Sequence, residues 1–222
     1  MSQHDLRQRE EIVIAARAFA RLGYMYGFGH VSVRTEDGLL ITPTRPHFLH
    51  QQPTDLLHCN SSGSVQSGVA SNRPIEVFLH LGIYKSRSDV HAICRTHAPA
   101  SSAIQSIASV PPIRHGFGGI TETIAVLDET DLIHKPEMGT RAGESLGSSD
   151  ALILRGNGVL TVGSTLGQAA ARMWSLEERC TFDRLTPDKK ISFSRKELEA
   201  RKHWYDAESD RIWAWLQHVG AF

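Results

Sequence analysis

The sequence predicts a layered α/β or α+β fold on a largely antiparallel sheet. Three observations lead there. Residues 31–41 run strand–turn–strand, amphipathic helix patterns carry their own start and stop signals, and short apolar strands are interleaved with those helices. A chain of 222 residues, 41% of them apolar, needs no staple, since it can bury roughly 70% of its unfolded surface.

The elements follow in order. A helix is predicted over about 5–22, where Ile12, Ala16, Phe19 and Leu22 share a face and Gly23 ends the pattern. Residues 31–34 alternate, Asp37-Gly38 suits a left-handed turn, and 39–41 return, which reads as a hairpin. Pro43, Pro46 and Pro53 mark irregular chain, and Ser61-Ser62-Gly63 marks a turn. A helix is expected over 74–84, opened by Pro74 and striped by Val77, Leu81 and Tyr84. Residues 91–95 read as a strand, a small-residue helix starts near Ala98, 123–127 read as a strand and 137–146 as a short helix. A buried strand at 151–154 turns through Gly156-Asn157-Gly158 into 159–162. Two longer helices close the chain, opened by Thr165-x-x-Gln168 and Ser194-x-x-Glu197. No repeat or long linker divides it, so one domain over 1–222 is expected, with its C-terminal helices from about 165.

Composition removes several function classes. Lys plus Arg is 24 and Asp plus Glu is 24, which argues against an electrostatic nucleic-acid binder. Cys59, Cys94 and Cys180 are too few and too widely spaced for a disulfide framework or a CxxC metal site. No run approaches the roughly 18 apolar residues of a membrane span. The polar residues 1–11 carry no apolar signal core, so a cytoplasmic protein without membrane partners is expected. Twelve histidines invite a metal-enzyme reading. A Walker loop, HExxH, a nucleophile elbow and GxGxxG are all missing. Gly116-Phe117-Gly118-Gly119 lacks a strand–glycine–helix context and reads as a flexible turn.

Five stretches carry more. They are Gly29-His30-Val31-Ser32-Val33-Arg34, Ile41-Thr42-Pro43-Thr44, EVFLHLGIY from Glu76, AICRTHAP from Ala92 and LILRGNGVLTVG from Leu152. In this order and spacing, over roughly residues 8–185, they resemble the class II aldolase/adducin family. That family includes fuculose-phosphate aldolase, ribulose-phosphate epimerase and related decarboxylases. The resemblance implies a three-layer α/β/α domain around a mainly antiparallel sheet. It also implies a small-molecule substrate and a cyclic homotetramer with active sites between subunits.

The family's metal site uses an HxH pair on one strand and a third histidine from an N-H-G turn. Residues two apart on a strand share a face, so both imidazoles can reach one zinc. Here the matching positions read Arg95-Thr96-His97 and Asn157, which leaves His97 alone as a family metal ligand. Arginine has a fixed positive charge and no lone pair to give, so no cofactor is expected. Zinc or manganese on His97 with His80 or His30 is the alternative. Arg95 either replaces the metal as a fixed cation, gripping a substrate carboxylate or steadying an enolate-like oxyanion, or it merely pairs with an acid in a dead site. The retained Glu76 tips the balance to function. It aligns with the family's acid/base glutamate, and a carboxylate in a closed pocket can shuttle protons. At a helix start it could instead serve only the helix dipole. His80, one turn on, reads as a core histidine.

The phosphate cradle departs as well. The family's sugar-phosphate aldolases use Gly-Asn, Thr-Pro-Ser-Gly and Ser-Ser-Glu, where this chain has Gly29-His30, Thr42-Pro43-Thr44-Arg45 and Pro74-Ile75-Glu76. Pro74 offers no N–H and Ile75 is apolar. A non-phosphorylated, carboxylate-bearing or aromatic substrate is therefore expected, with His30, Thr44 and Arg45 binding it. Tyr205, among the C-terminal aromatics, is the candidate for the tyrosine acid that family enzymes supply to a neighbouring subunit. The reading is a carbon–carbon lyase, of decarboxylase or aldol type, with Glu76, Arg95, His97, Asn157 and Tyr205 catalytic. The alternatives are a metal-free cyclase, dehydratase or oxygenase on the same scaffold, or a non-catalytic adducin-like module.

Overall fold

The structure, a computed structural model, describes residues 3–104, 110–186 and 192–221. Helix α1 (Gln3–Arg21) leads into the predicted hairpin of β1 (His30–Arg34) and β2 (Gly38–Ile41), in which Ser32 faces Ile41. Two strands that the sequence pattern does not announce, β3 (Leu57–Asn60) and β4 (Val65–Ser67), extend the sheet beyond the hairpin. They are short, and the prolines before them hide their alternation. The Asn60 side-chain oxygen accepts from Ser62 N at 3.1 Å and Ser64 N at 2.9 Å, and so ties the turn between them.

Helix α2 (Val77–Ser86) comes next, then β5 (Ala92–Thr96) and α3 (Pro99–Ala103). After them come β6 (Ile124–Leu127), α4 (Pro136–Leu146), β7 (Ala151–Leu154) and β8 (Val159–Gly163). The chain closes with α5 (Leu166–Leu185), α6 (Arg195–Arg201) and α7 (Tyr205–Ala221). The eight strands are ordered β4-β3-β2-β1-β5-β8-β7-β6. Every neighbouring pair is antiparallel except β6 with β7.

Strand alternation assigns the layers. On β5, Ala92 and Cys94 face a core shared with α1, α5 and α7, whereas Ile93 faces a second core shared with α2 and α4. Arg95 and His97 continue the Ile93 face by the two-residue period. On β1, Val31 and Val33 join the first core, which turns His30, Ser32 and Arg34 to the α2 side. The sheet thus carries helices on both faces, the three-layer α/β/α arrangement.

Three local expectations are corrected. Helix α2 begins at Val77, not Pro74; Glu76 is its N-cap residue, and Pro74 and Ile75 form the preceding turn, in which Val77 N donates to Pro74 O at 3.3 Å. The last predicted helix is interrupted: Ser194 caps α6 with Glu197 in a capping box, a 3-10 turn at Lys202–Trp204 intervenes, and α7 follows. The glycine-rich run is a 3-10 segment, Gly116–Thr121, with Gly118 and Gly119 buried, not a flexible turn. Among the described residues no helix is long and apolar enough to cross a membrane.

Helices α2 and α4 cross at closest approach through Gly82 and Gly139. A Cβ on Gly82 would fall on the Gly139 carbonyl, and one on Gly139 would fall on the Phe78 carbonyl. Overpacking of that kind costs about 2 kcal/mol or more. Gly82→Ala should therefore lower the melting temperature by about 4–8 °C; an unchanged thermal unfolding curve would contradict this packing.

Candidate active site

One end of the sheet gathers the start of β1, the end of β5 and the β7–β8 turn, because β5 is antiparallel to both β1 and β8. His30 pairs with Arg95 and Thr96 with Val159. Residues directly opposite on antiparallel strands share a face, so His30 and Arg95 stand side by side, with His97 two residues on and Asn157 in the turn beyond. Helix α2 brings Glu76 over this row. Gly29, at φ +127°, lets the chain enter β1 here; a Cβ at that position would lie 2.8 Å from Met25 Cγ and 3.0 Å from Arg95 O.

Arg95 is the centre. Its side chain is 1% exposed and makes four contacts. Nη2 lies 3.0 Å from Glu76 Oε2, and it donates to Asn157 O at 3.0 Å and to Asn157 Oδ1 at 2.8 Å. Nη1 donates to His97 Nε2. Asn157 Nδ2 closes the ring by donating to Glu76 Oε1 at 2.7 Å. Both Glu76 oxygens therefore face N–H donors, and the carboxylate is fixed in place. A charge this deeply buried is tolerated only when paired and hydrogen-bonded.

The electrostatics follow from burial and this cation. His97 is pulled down to about 4, first by burial and then by Arg95. Its Nε2 accepts from Arg95, so the ring proton sits on Nδ1. His30 is held well below its ordinary value by burial first, then by Arg95, His80 and His97. Burial lowers Arg95 itself, opposed by Glu76.

A cavity of about 570 Å³ opens above the ring. It is lined by Glu76, Arg95, His97, Asn157, His30, Thr44 and Arg45, which are all of the sequence-predicted site residues but one. Thr44 is tied to the neighbouring turn, donating to Asn72 O from N at 2.8 Å and from Oγ1 at 3.1 Å. Arg45 is exposed at the mouth. Tyr205 is not brought here: within this chain it lines another cavity, with Gly119, Glu122, Asp150 and Arg172.

Beside Ile75, which the sequence already marks as apolar, the cleft wall holds Phe28, Phe48 and Leu132, which sequence reasoning missed. Phe28 is 72% exposed, Ile75 59% and Leu132 42%, and Phe28 meets the His97 ring edge-on at 5.9 Å. Loop residues have no period to reveal them; the one signal was Phe28 between two glycines. His80 is buried as expected, but it bonds Ser32 and is not enclosed in apolar core.

Known proteins resemble the chain over most of its length. The model of the Class II Aldolase and Adducin N-terminal domain matches residues 10–183. The meiotically up-regulated gene 14 protein of Schizosaccharomyces pombe is 27% identical over 213 residues, which cover 89% of this chain and 77% of that protein. Decarboxylase NovR of Streptomyces niveus is 28% identical over 207 residues, 84% of this chain and 72% of that one. The structure of L-fuculose 1-phosphate aldolase from Glaciozyma antarctica superposes with a TM-score of 0.83 at 22% identity, covering 98% of this chain and 91% of that one, a likeness of fold.

The Arg95–Glu76 pair makes a direct prediction. Arg95→Met strands a buried carboxylate and should cost about 3–5 kcal/mol in denaturant unfolding. Adding Glu76→Gln should recover at least about 1 kcal/mol of that loss. Strict additivity of the two changes would show that the pair does not act as a unit.

Proposed function

We infer the chemistry from one premise: the chain belongs to the class II aldolase and adducin family. We propose that it is a carbon–carbon lyase, of decarboxylase or aldol type, acting on a non-phosphorylated substrate that carries a carboxylate or an aromatic ring. The observation that carries this reading is the buried Arg95 cation, linked to Glu76, Asn157 and His97 under a cleft walled by apolar side chains.

The donor set does not fit the family's divalent metal. Two of the three ligand positions carry Arg95 and Asn157, and the His97 Nε2 lone pair is already directed at Arg95. Among the described residues no three His, Cys, Asp or Glu side chains group closely enough to hold an ion. Arg95 instead supplies a fixed positive charge, buried and pre-oriented by its hydrogen bonds, where it steadies negative charge developing on a carbonyl oxygen. In the decarboxylation of a 3-oxo or hydroxy-aromatic acid the bond to the carboxylate carbon breaks, its electron pair moves onto the carbonyl or phenol oxygen as an enolate, carbon dioxide leaves and a proton taken from solvent returns to carbon. Glu76, held by Asn157 and Arg95, is the group that moves that proton.

The wall explains the substrate class. Ile75 projects into the cleft where a sugar phosphate would need N–H and hydroxyl donors, and Pro74 before it has no N–H. Phe28, Ile75 and Leu132 suit a flat or aliphatic body, and Arg45 at the mouth suits a second anion. His30 and Thr44 orient the oxygens. The proposal includes a homotetramer in which Tyr205 serves a neighbouring subunit. The similarity to Decarboxylase NovR is in keeping with it.

The test is a panel of hydroxy-aromatic, 3-oxo and 4-hydroxy-2-oxo carboxylic acids against phosphorylated ketoses, followed by mass spectrometry for carbon–carbon cleavage. Carboxylic acids should turn over, and Glu76→Gln should lower kcat about 10²–10⁴-fold in a folded protein of unchanged oligomeric state. Cleavage of sugar phosphates alone, or full activity in Glu76→Gln, would overturn the reading.

A further inference from the structure

Behind His30 and Glu76 runs a second line of polar side chains, Ser32, His80 and Tyr84, that the chemistry above does not use. Strand β1 turns His30, Ser32 and Arg34 toward α2. At four-residue steps along the helix, Glu76, His80 and Tyr84 face back. Ser32 Oγ lies 2.7 Å from His80 Nδ1 and 2.8 Å from Tyr84 Oη. Ser32 and His80 are fully buried, and Tyr84 is 4% exposed.

Counting hydrogens assigns a direction. Burial keeps the Tyr84 phenol protonated, and Ser32 Oγ is the oxygen beside it. With the phenol as donor to Ser32 Oγ, the Ser32 hydrogen is left for His80 Nδ1, which accepts it. A neutral imidazole has one N–H, so the His80 proton lies on Nε2. That nitrogen is buried without a protein partner, and so is His30 Nδ1. The two rings meet edge to face, with centroids 5.6 Å apart. The two nitrogens make no direct hydrogen bond, and one water between a donor on one ring and an acceptor on the other would satisfy both. His30 Nδ1 is then the acceptor, and its own proton lies on Nε2.

We propose that Tyr84, Ser32 and His80 are positioning residues whose hydrogen-bond chain fixes His30 as a neutral imidazole that offers Nε2–H to a substrate oxygen in the cleft. Arg95 and His97 stand close by, with Glu76 across Arg95, and burial together with Arg95 disfavours a charged His30. A neutral donor stabilises an oxyanion by hydrogen bonding without surrendering its proton, which complements the fixed charge of Arg95. The substrate step rests on the lyase reading; the tautomers do not.

Nitrogen-15 histidine NMR of the full chain between pH 5.5 and 8 tests this, with resonances assigned through His30→Gln and His80→Gln. Both histidines should be neutral Nε2–H tautomers across the range. Ser32→Ala should shift the His80 and His30 nitrogen resonances while the melting temperature stays within a few degrees. On a carboxylic-acid substrate, Ser32→Ala and Tyr84→Phe should lower kcat about ten- to a hundredfold with little change in KM. A His80 proton on Nδ1, a charged His30 at pH 7, or a His30 spectrum indifferent to Ser32→Ala would overturn the proposal. Tautomers as assigned in a protein inert toward every carboxylic acid would support this wiring and count against the lyase reading alone.

Discussion

A guanidinium buried at the end of the central strand is the constraint around which this molecule is arranged. Arg95 lies between the sheet and α2, where an unpaired charge would be prohibitive. Its neutralisation dictates what surrounds it: Glu76 at the N-cap of α2, Asn157 in the β7–β8 turn and His97 two residues on. Each partner comes from a different element, so the pairing also sets how helix, strand and turn meet. The close glycine crossing of α2 and α4 holds the helix that carries Glu76 against the sheet.

The same interaction gives the cleft its chemical character. A metal site would present an exchangeable Lewis acid with open positions. Here the positive charge is covalently fixed, and much of its hydrogen-bonding capacity is spent on organising Glu76, Asn157 and His97. What faces the cleft is a cation at the floor, an anchored carboxylate, two histidines disfavoured from charging, and a wall of Phe28, Ile75 and Leu132. The proposed preference for an anionic substrate with an apolar body over a polyhydroxylated phosphate rests on that combination.

Much of this could be read before the structure, for physical reasons. The hairpin at β1 and β2, the buried β7 and the capped start of α5 are written in local signals: alternation, a left-handed turn pair, and Thr165 accepting from Gln168 N at 3.1 Å. The pairing of His30, Arg95, His97 and Asn157 follows from strand period once the motifs are aligned. Strands β3 and β4 were missed because four and three residues give alternation too little length. The start of α2 was misread because Pro74 suits a turn as well as a first helical residue. Which cavity Tyr205 enters depends on the break at Lys202–Trp204, and no periodicity announces it. Phe28 and Leu132 of the apolar wall are loop residues whose meaning is purely tertiary.

Metal content measured together with turnover decides whether a fixed cation, Arg95, stands where the family holds a metal. Protein produced with zinc and manganese supplied would be analysed for bound metals and assayed before and after dialysis against a chelator. With Arg95 as that cation, only trace metal is expected, with undiminished cleavage of the carboxylic-acid substrate after chelation. A stoichiometric, tightly held divalent ion whose removal abolishes turnover would rule that role out.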